Sequence, residues 1–98
     1  MDIYPTTSEF AHWTITADVD LTTATAEVFL EGEWRAMEWV DAGTEANGTW
    51  TRTARIRVAG ADAPAGLVIT GSVRPEYRIS TGGEVIVRTS QHKLNLRA

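Results

Sequence analysis

The side chains that could do chemistry in this 98-residue chain are two histidines, four serines and an excess of carboxylates. A metal site would need His12 and His92 brought together with a carboxylate, yet they stand near opposite ends of the chain, each among residues that look solvent-facing. Asp18 and Asp20 flank the end of a predicted strand, and their loop lacks the acid and glycine spacing that wraps a calcium ion. The sequence therefore predicts no metal site.

Motifs for catalysis and phosphate binding do not emerge either. No Ser-His-Asp arrangement can be read from the sequence. The glycine pair in STGG, residues 80–83, precedes a predicted strand, whereas phosphate-binding loops precede a helix. The NGT sequence at 47–49 matches a glycosylation sequon. Because the N-terminus lacks the basic start and apolar run of a secretory signal, we interpret NGT simply as a turn. We predict no catalytic residue, no cofactor and no enzymatic activity.

The elements that would position any site are β-strands, because apolar and polar residues alternate with a period of two. The pattern is clearest over residues 12–21 and 50–58, where only Arg52 interrupts the apolar face. Asn47-Gly48 is a strong hairpin signal, and no segment shows a convincing helical period. Six or seven short strands predict an all-β antiparallel sandwich, in preference to a small barrel. The predicted core residues are Trp13, Ile15, Val28, Leu30, Trp39, Trp50, Ile56, Val58, Val85 and Val87.

Two tryptophans in EGEWRAMEWV need a separate account. Trp34 and Trp39 are an odd number of residues apart, so a regular strand directs them to opposite faces. We expect Trp39 inside, where Met37 shares its parity, and Trp34 nearer the surface. In the alternative, both are partly buried and close one end of the sandwich.

Composition and charge narrow the class of protein. Cysteine is absent, and no apolar run approaches the length of a membrane span. The net charge of −4 divides unevenly: residues 1–48 hold ten acids and one base (−9), and residues 49–98 hold three acids and eight bases (+5). Either the two halves interleave and their charges pair, or they form an acidic and a basic face for docking. The negative net charge makes a nucleic-acid partner unlikely on this sequence.

Several stretches together resemble a known family. TADVDL, AEVFL, EWRAMEW, TRTARIRVAG and VRPE before GGEVIV are similar to a family of small virion proteins of actinobacterial phages, encoded among head and head-to-tail genes. The family's Trp-x-x-Ala-x-Trp segment matches Trp34 and Trp39, with Ala36 one position earlier than the family's alanine, whereas residues 73–76 match only if intervening residues are dropped. The similarity covers roughly residues 13–88. It implies an immunoglobulin-like sandwich with a role in particle assembly.

The two ends of the chain flank the strand-rich middle. We predict a sandwich domain at 11–90, an N-terminal arm at 1–10 and a C-terminal arm at 91–98. Leu94 and Leu96 alternate with polar residues, so the second arm could pair as an extra strand on a neighbouring subunit. The alternatives are a frayed end or a segment packed back on its own domain.

The resulting functional prediction is a non-enzymatic phage structural protein that assembles in the bacterial cytoplasm and resides in the virion. Capsid decoration or cementing is preferred, and a head-to-tail connector, neck or tail ring is the alternative. The expected partners are further copies of the chain and other virion proteins such as capsid or neck subunits, without a membrane. A hypothesis of another class is a carbohydrate- or ligand-binding module that uses Trp34 as a stacking platform. The candidate interface residues are Trp34, Arg35, Arg55, Arg57, Arg74, Tyr77, Arg78, Lys93, Leu94, Leu96 and Arg97.

Overall fold

A computed structural model describes residues 1–98, which form eleven β-strands and no helix. The strands are, in chain order, β1 Asp2–Ile3, β2 Ser8–Ala17, β3 Thr25–Leu30, β4 Glu33–Ala36, β5 Glu38–Trp39, β6 Thr44–Ala46, β7 Thr49–Ala59, β8 Leu67–Val68, β9 Glu76–Thr81, β10 Glu84–Thr89 and β11 Asn95–Leu96. The prediction of an all-β sandwich is confirmed. Its immunoglobulin-like character stays a prediction.

Two sheets form the sandwich. One has the strand order β10-β9-β3-β4 and is antiparallel throughout. The other is organised around β7, which pairs with β2 along one side and with β5, β6 and β8 along the other. Strands β2 and β7 are matched over ten residue pairs, from Ser8 opposite Ala59 to Ala17 opposite Trp50. The edge strands are therefore β10 and β4 in the first sheet, and β2 and the short strands β5, β6 and β8 in the second.

Three tight turns set the register of the hairpins. Glu31-Gly32, Asn47-Gly48 and Gly82-Gly83 each have two successive residues with positive φ, between 52° and 84°. Positive φ at both central residues is the signature of a type I′ turn, whose twist matches that of the flanking strands. Asn47-Gly48 is the hairpin signal of the sequence, and the turns at Glu31-Gly32 and Gly82-Gly83 have the same backbone conformation.

The core lies between the sheets and follows the alternation of the strands. Buried side chains occupy every second position of β2 from Ala11 onward and of β3, and β9 adds the fully buried Ile79. Five of the predicted core residues are buried, namely Trp13, Ile15, Val28, Leu30 and Val58. Three more are half-buried against that cluster, namely Trp39, Trp50 and Ile56. The Trp39 indole N–H donates to the Ala24 carbonyl at 2.8 Å.

The prediction that Val85 and Val87 lie in the core is wrong. They are 59% and 50% exposed. In the β9–β10 ladder Ile86 lies opposite the fully buried Ile79, so Ile86 faces inward and the two valines face outward. Because three consecutive residues here are β-branched and apolar, the alternation did not reveal which parity faces the core.

The predicted arms at 1–10 and 91–98 do not extend from the domain, and both ends pack into it, as in one of the alternatives to a docking arm. Ile3 and Leu94 are both fully buried in the core cluster. Strand β1 pairs in parallel with β11, and Leu94 forms an isolated bridge with Val73. The end segments therefore pack back on their own domain, and no extended arm is available to pair with a neighbour.

Candidate interaction surfaces

The outer face of the four-stranded sheet exposes apolar side chains at both of its margins. Phe29 on β3 lies directly opposite Trp34 on β4, with ring centroids 5.3 Å apart in an edge-to-face arrangement. At the other margin β10 presents its two outward-facing valines. We term this surface the aromatic face. It consists of Glu27, Phe29, Trp34, Arg78, Val85 and Val87.

An ion pair holds the centre of the aromatic face. Glu27 and Arg78 lie opposite each other on β3 and β9, and the carboxylate accepts from the guanidinium at 2.8 Å. The same guanidinium lies over the Trp34 ring at 4.2 Å. An arginine fixed by a carboxylate and an indole has lost rotamer freedom before any partner arrives, which lowers the entropy cost of binding. It also covers one face of Trp34, so a sugar ring could stack only on the other face.

The outer face of the second sheet has a different chemistry. Phe10 on β2 lies beneath two guanidinium groups, those of Arg55 at 3.8 Å and Arg57 at 4.3 Å. Arg55 also pairs with Glu38 on β5 at 2.6 Å. We term this surface, which consists of these four residues, the arginine face. Cation–π contacts here satisfy the arginines within the chain.

A groove runs between the edge strands β2 and β10, which belong to different sheets. Its volume is about 440 Å³, and its lining includes both histidines together with Tyr77 and Arg88. Arg88 donates from β10 to the backbone carbonyl of Thr16 on β2 and so bridges the two edges. On the core side of the groove the indole N–H of Trp13 donates to the Ser90 hydroxyl at 2.7 Å.

The two histidines therefore lie closer to one another than the sequence suggested. His92 is half-buried, and its ring packs against Trp13 with centroids 5.3 Å apart. Burial lowers the pKa of His92, and the positive charges of the Met1 ammonium and Arg74 lower that pKa further. His92 looked solvent-facing in the sequence. Only the packing of the two sheets, which places the edge strands β2 and β10 on either side of the groove, brings His92 to it.

The structure distributes the predicted interface residues over several surfaces. Trp34 and Arg78 belong to the aromatic face, Arg55 and Arg57 to the arginine face, and the half-buried Tyr77 to the groove. Arg35 lies on the inner side of β4, where it donates to the Leu30 carbonyl and pairs with Glu33. Near the chain ends Arg74 donates to the Gln91 carbonyl, Arg97 pairs with Asp2, and Lys93 and Leu96 are exposed. Leu94 belongs to the core, so its prediction as an interface residue is wrong.

Charge pairing between the two halves of the sequence is visible in the ion pairs. Four salt bridges form, and three of them join an acid from residues 1–48 to an arginine from residues 49–98. The acids of the first half and the arginines of the second half therefore pair in part within the folded chain.

Near the end of β2, the carboxylate of Asp20 accepts from the hydroxyl and the backbone N–H of Thr22. These two hydrogen bonds lower the pKa of Asp20.

Comparison with known proteins yields no assignment. No family model, curated protein or solved structure shows significant similarity to the chain. The chain has no helix that is long and apolar enough to cross a membrane. No group of three or more His, Cys, Asp or Glu side chains is arranged to hold a metal ion.

Proposed function

We propose that the protein is a non-enzymatic structural subunit of a phage particle and that it joins its neighbours through the aromatic face. The observation that carries this proposal is the exposure of Phe29, Val85 and Val87 on one side of a sheet whose other side builds the core. Apolar side chains arranged around a fixed arginine are typical of protein interfaces, which are enriched in aromatic residues and arginine.

The composition of the aromatic face fits association better than turnover. Its central ion pair is already formed in the isolated subunit, so docking need not organise it. A neighbour that covers the apolar margins removes them from water. This burial stabilises the contact by roughly 25 cal/mol for each Å² of apolar surface. Such a small face gives modest affinity for one contact, and repeated copies on a particle multiply it through avidity.

The phage assignment rests on the sequence resemblance. The segment with Trp34, Ala36 and Trp39 and the segment at 51–60 are similar to small virion proteins of actinobacterial phages. Within that class we favour a capsid-decorating or cementing subunit, with the head-to-tail connector or a tail ring as the alternative position. In either position the partners are copies of this chain and capsid or neck proteins, met during assembly in the bacterial cytoplasm.

The proposal is tested by making the aromatic face polar. A Val85→Gln/Val87→Gln double variant should remain folded, because both side chains are exposed, but its incorporation into particles should fall about tenfold or more. Val40→Gln is the matched control, since Val40 is 43% exposed and lies away from the aromatic face, directly after β5, where its backbone N–H donates to Thr53 on β7. Incorporation is measured by quantitative mass spectrometry of purified particles. Unchanged incorporation of the double variant would refute a role for the aromatic face.

A further inference from the structure

The groove between β2 and β10 lies between two strands that each have one unpaired edge. Strand β2 pairs only with β7, and β10 pairs only with β9. The free edge of β2 belongs to a ten-residue strand, which is long for an edge left open. An open edge of this length is a template for an added strand.

The backbone groups that face the groove can be read from the register. The Thr7 carbonyl accepts from Gly60 next to β7, whereas the Thr16 carbonyl accepts from Arg88 across the groove. Successive residues of a strand present their backbone groups to alternate sides. Phe10, His12 and Thr14 therefore share the orientation of Thr16, and of these four residues His12, Thr14 and Thr16 line the groove. The N–H and C=O groups of Phe10, His12 and Thr14 point away from β7, to the free side of β2. They form a row about 14 Å long with a repeat of about 7 Å.

The side chains around this row are basic or neutral. Arg88 lies at the Thr16 end of the groove, both histidines line it, and no carboxylate does. Arg74 donates to the backbone carbonyl of Gln91, which lines the groove next to His92, and so adds a further positive charge there. A bound segment with carboxylates would therefore be attracted, and one with lysines or arginines would be repelled.

We propose that this groove is a strand-addition site, which takes an extended acidic segment of a partner protein and pairs it with the free edge of β2. A small anion would use the charge of the groove but not the row of backbone groups. An extended chain uses both, because its own N–H and C=O groups repeat with the same spacing. The site goes beyond the proposed function, since it lies on the sandwich edge and involves none of the residues of the aromatic face.

The probe for this site is a blocked heptapeptide of alternating valine and aspartate, tested on the full chain by calorimetry and amide NMR. We expect saturable binding with amide shifts centred on Phe10, His12 and Thr14. Replacing the aspartates with asparagine should weaken binding about tenfold, as expected when charge-assisted contacts become neutral ones. Two further peptides carry N-methyl groups on one or the other set of alternate amides. Only one of them should lose binding, because an added strand pairs along a single edge.

A backbone variant tests the same row from the protein side. Thr14→Pro removes one groove-facing N–H and leaves the ladder with β7 intact, since proline is tolerated on the open side of an edge strand. It should bind the acidic peptide at least tenfold more weakly than Thr14→Val, which keeps the N–H. If Thr14→Pro does not fold, the pair of N-methylated peptides decides the matter.

Several results would overturn the proposal. These are no binding of the acidic peptide, equal binding of the asparagine peptide, retained binding of both N-methylated peptides, and full displacement by free aspartate at equal concentration. The last result would identify a small-anion site. Because the aromatic face is untouched by these experiments, their failure leaves the particle-incorporation test unaffected, and the reverse also holds.

Discussion

The hydrogen bond between Trp13 and Ser90 offers a quantitative test of how the groove side of the sandwich is held together. The indole N–H and the hydroxyl oxygen are 2.7 Å apart, and the two residues are only 3% and 2% exposed. Ser90 also donates its backbone N–H to the Pro75 carbonyl, which fixes the segment after β10. We expect Trp13→Phe and Ser90→Ala each to leave one buried polar group without its partner.

The expected magnitudes follow from burial. An unpaired buried polar group costs about 1–3 kcal/mol, so Ser90→Ala should lower the free energy of unfolding by that amount. Trp13→Phe also leaves a cavity where the larger indole packed, for a total of about 2–4 kcal/mol. The double variant leaves neither group unpaired. Its loss should therefore fall short of the sum of the single losses by about 1–2 kcal/mol.

The assay is urea unfolding of the four proteins of the cycle, followed by far-ultraviolet circular dichroism because two of the four proteins lack Trp13. Equal m-values across the cycle would show that the unfolding reaction is the same in each case. A coupling energy within about 0.3 kcal/mol of zero would mean that the two residues act independently. That result would refute a buried hydrogen bond between Trp13 and Ser90. It would also contradict the packing of β2 against the segment after β10 that this bond implies.

Two further predictions concern the ends of the groove and of the sheet. Because the folded-state pKa of His92 is lowered, the unfolded chain takes up a proton before the folded one as the pH falls. Wild-type stability should therefore decline more from about pH 7.5 to about pH 5 than that of His92→Gln; parallel pH profiles would contradict this. Gly60→Ala places a Cβ 2.0 Å from a backbone oxygen of the N-terminal segment, whereas the Cβ of Gly71→Ala meets nothing within 4 Å. Thermal unfolding should show that Gly60→Ala lowers the free energy of unfolding by about 2 kcal/mol or more, whereas Gly71→Ala changes it little. Equal melting temperatures of the two variants would contradict this prediction.

The sequence predicted the strands whose alternation was complete. From Trp13 to Ala17 every second residue is apolar, and the structure buries that set. The Asn47-Gly48 turn was readable because few residue pairs tolerate two positive φ angles in succession. These features depend on residues close together in the chain, so a single sequence contains the information.

The features that escaped prediction depend on contacts between distant residues. The run Val85-Ile86-Val87 is apolar at both parities, and only pairing with β9 decides that Ile86 faces inward. Leu94 looked like part of a docking arm because nothing in its neighbourhood shows that its partners are Val73 and the first residues of the chain. The groove was missed for the same reason.

The pairing of Phe29 with Trp34 on the aromatic face was predictable from the sequence. Phe29 has the opposite parity to Val28 and Leu30, so the sequence already indicated an outward aromatic ring. The type I′ turn at Glu31-Gly32 then places Trp34 opposite Phe29. Parity and turn type together predict the aromatic pair, whereas its contact with Arg78 needed the position of β9.

The central claim is that this chain is a structural subunit of a particle. Quantitative mass spectrometry of particles purified from a phage whose genome carries this sequence tests it most directly. We predict that the protein is present in a fixed number of copies relative to the major capsid protein and stays bound through density-gradient purification. Its absence from washed particles, with the chain recovered only in the soluble lysate, would contradict the claim.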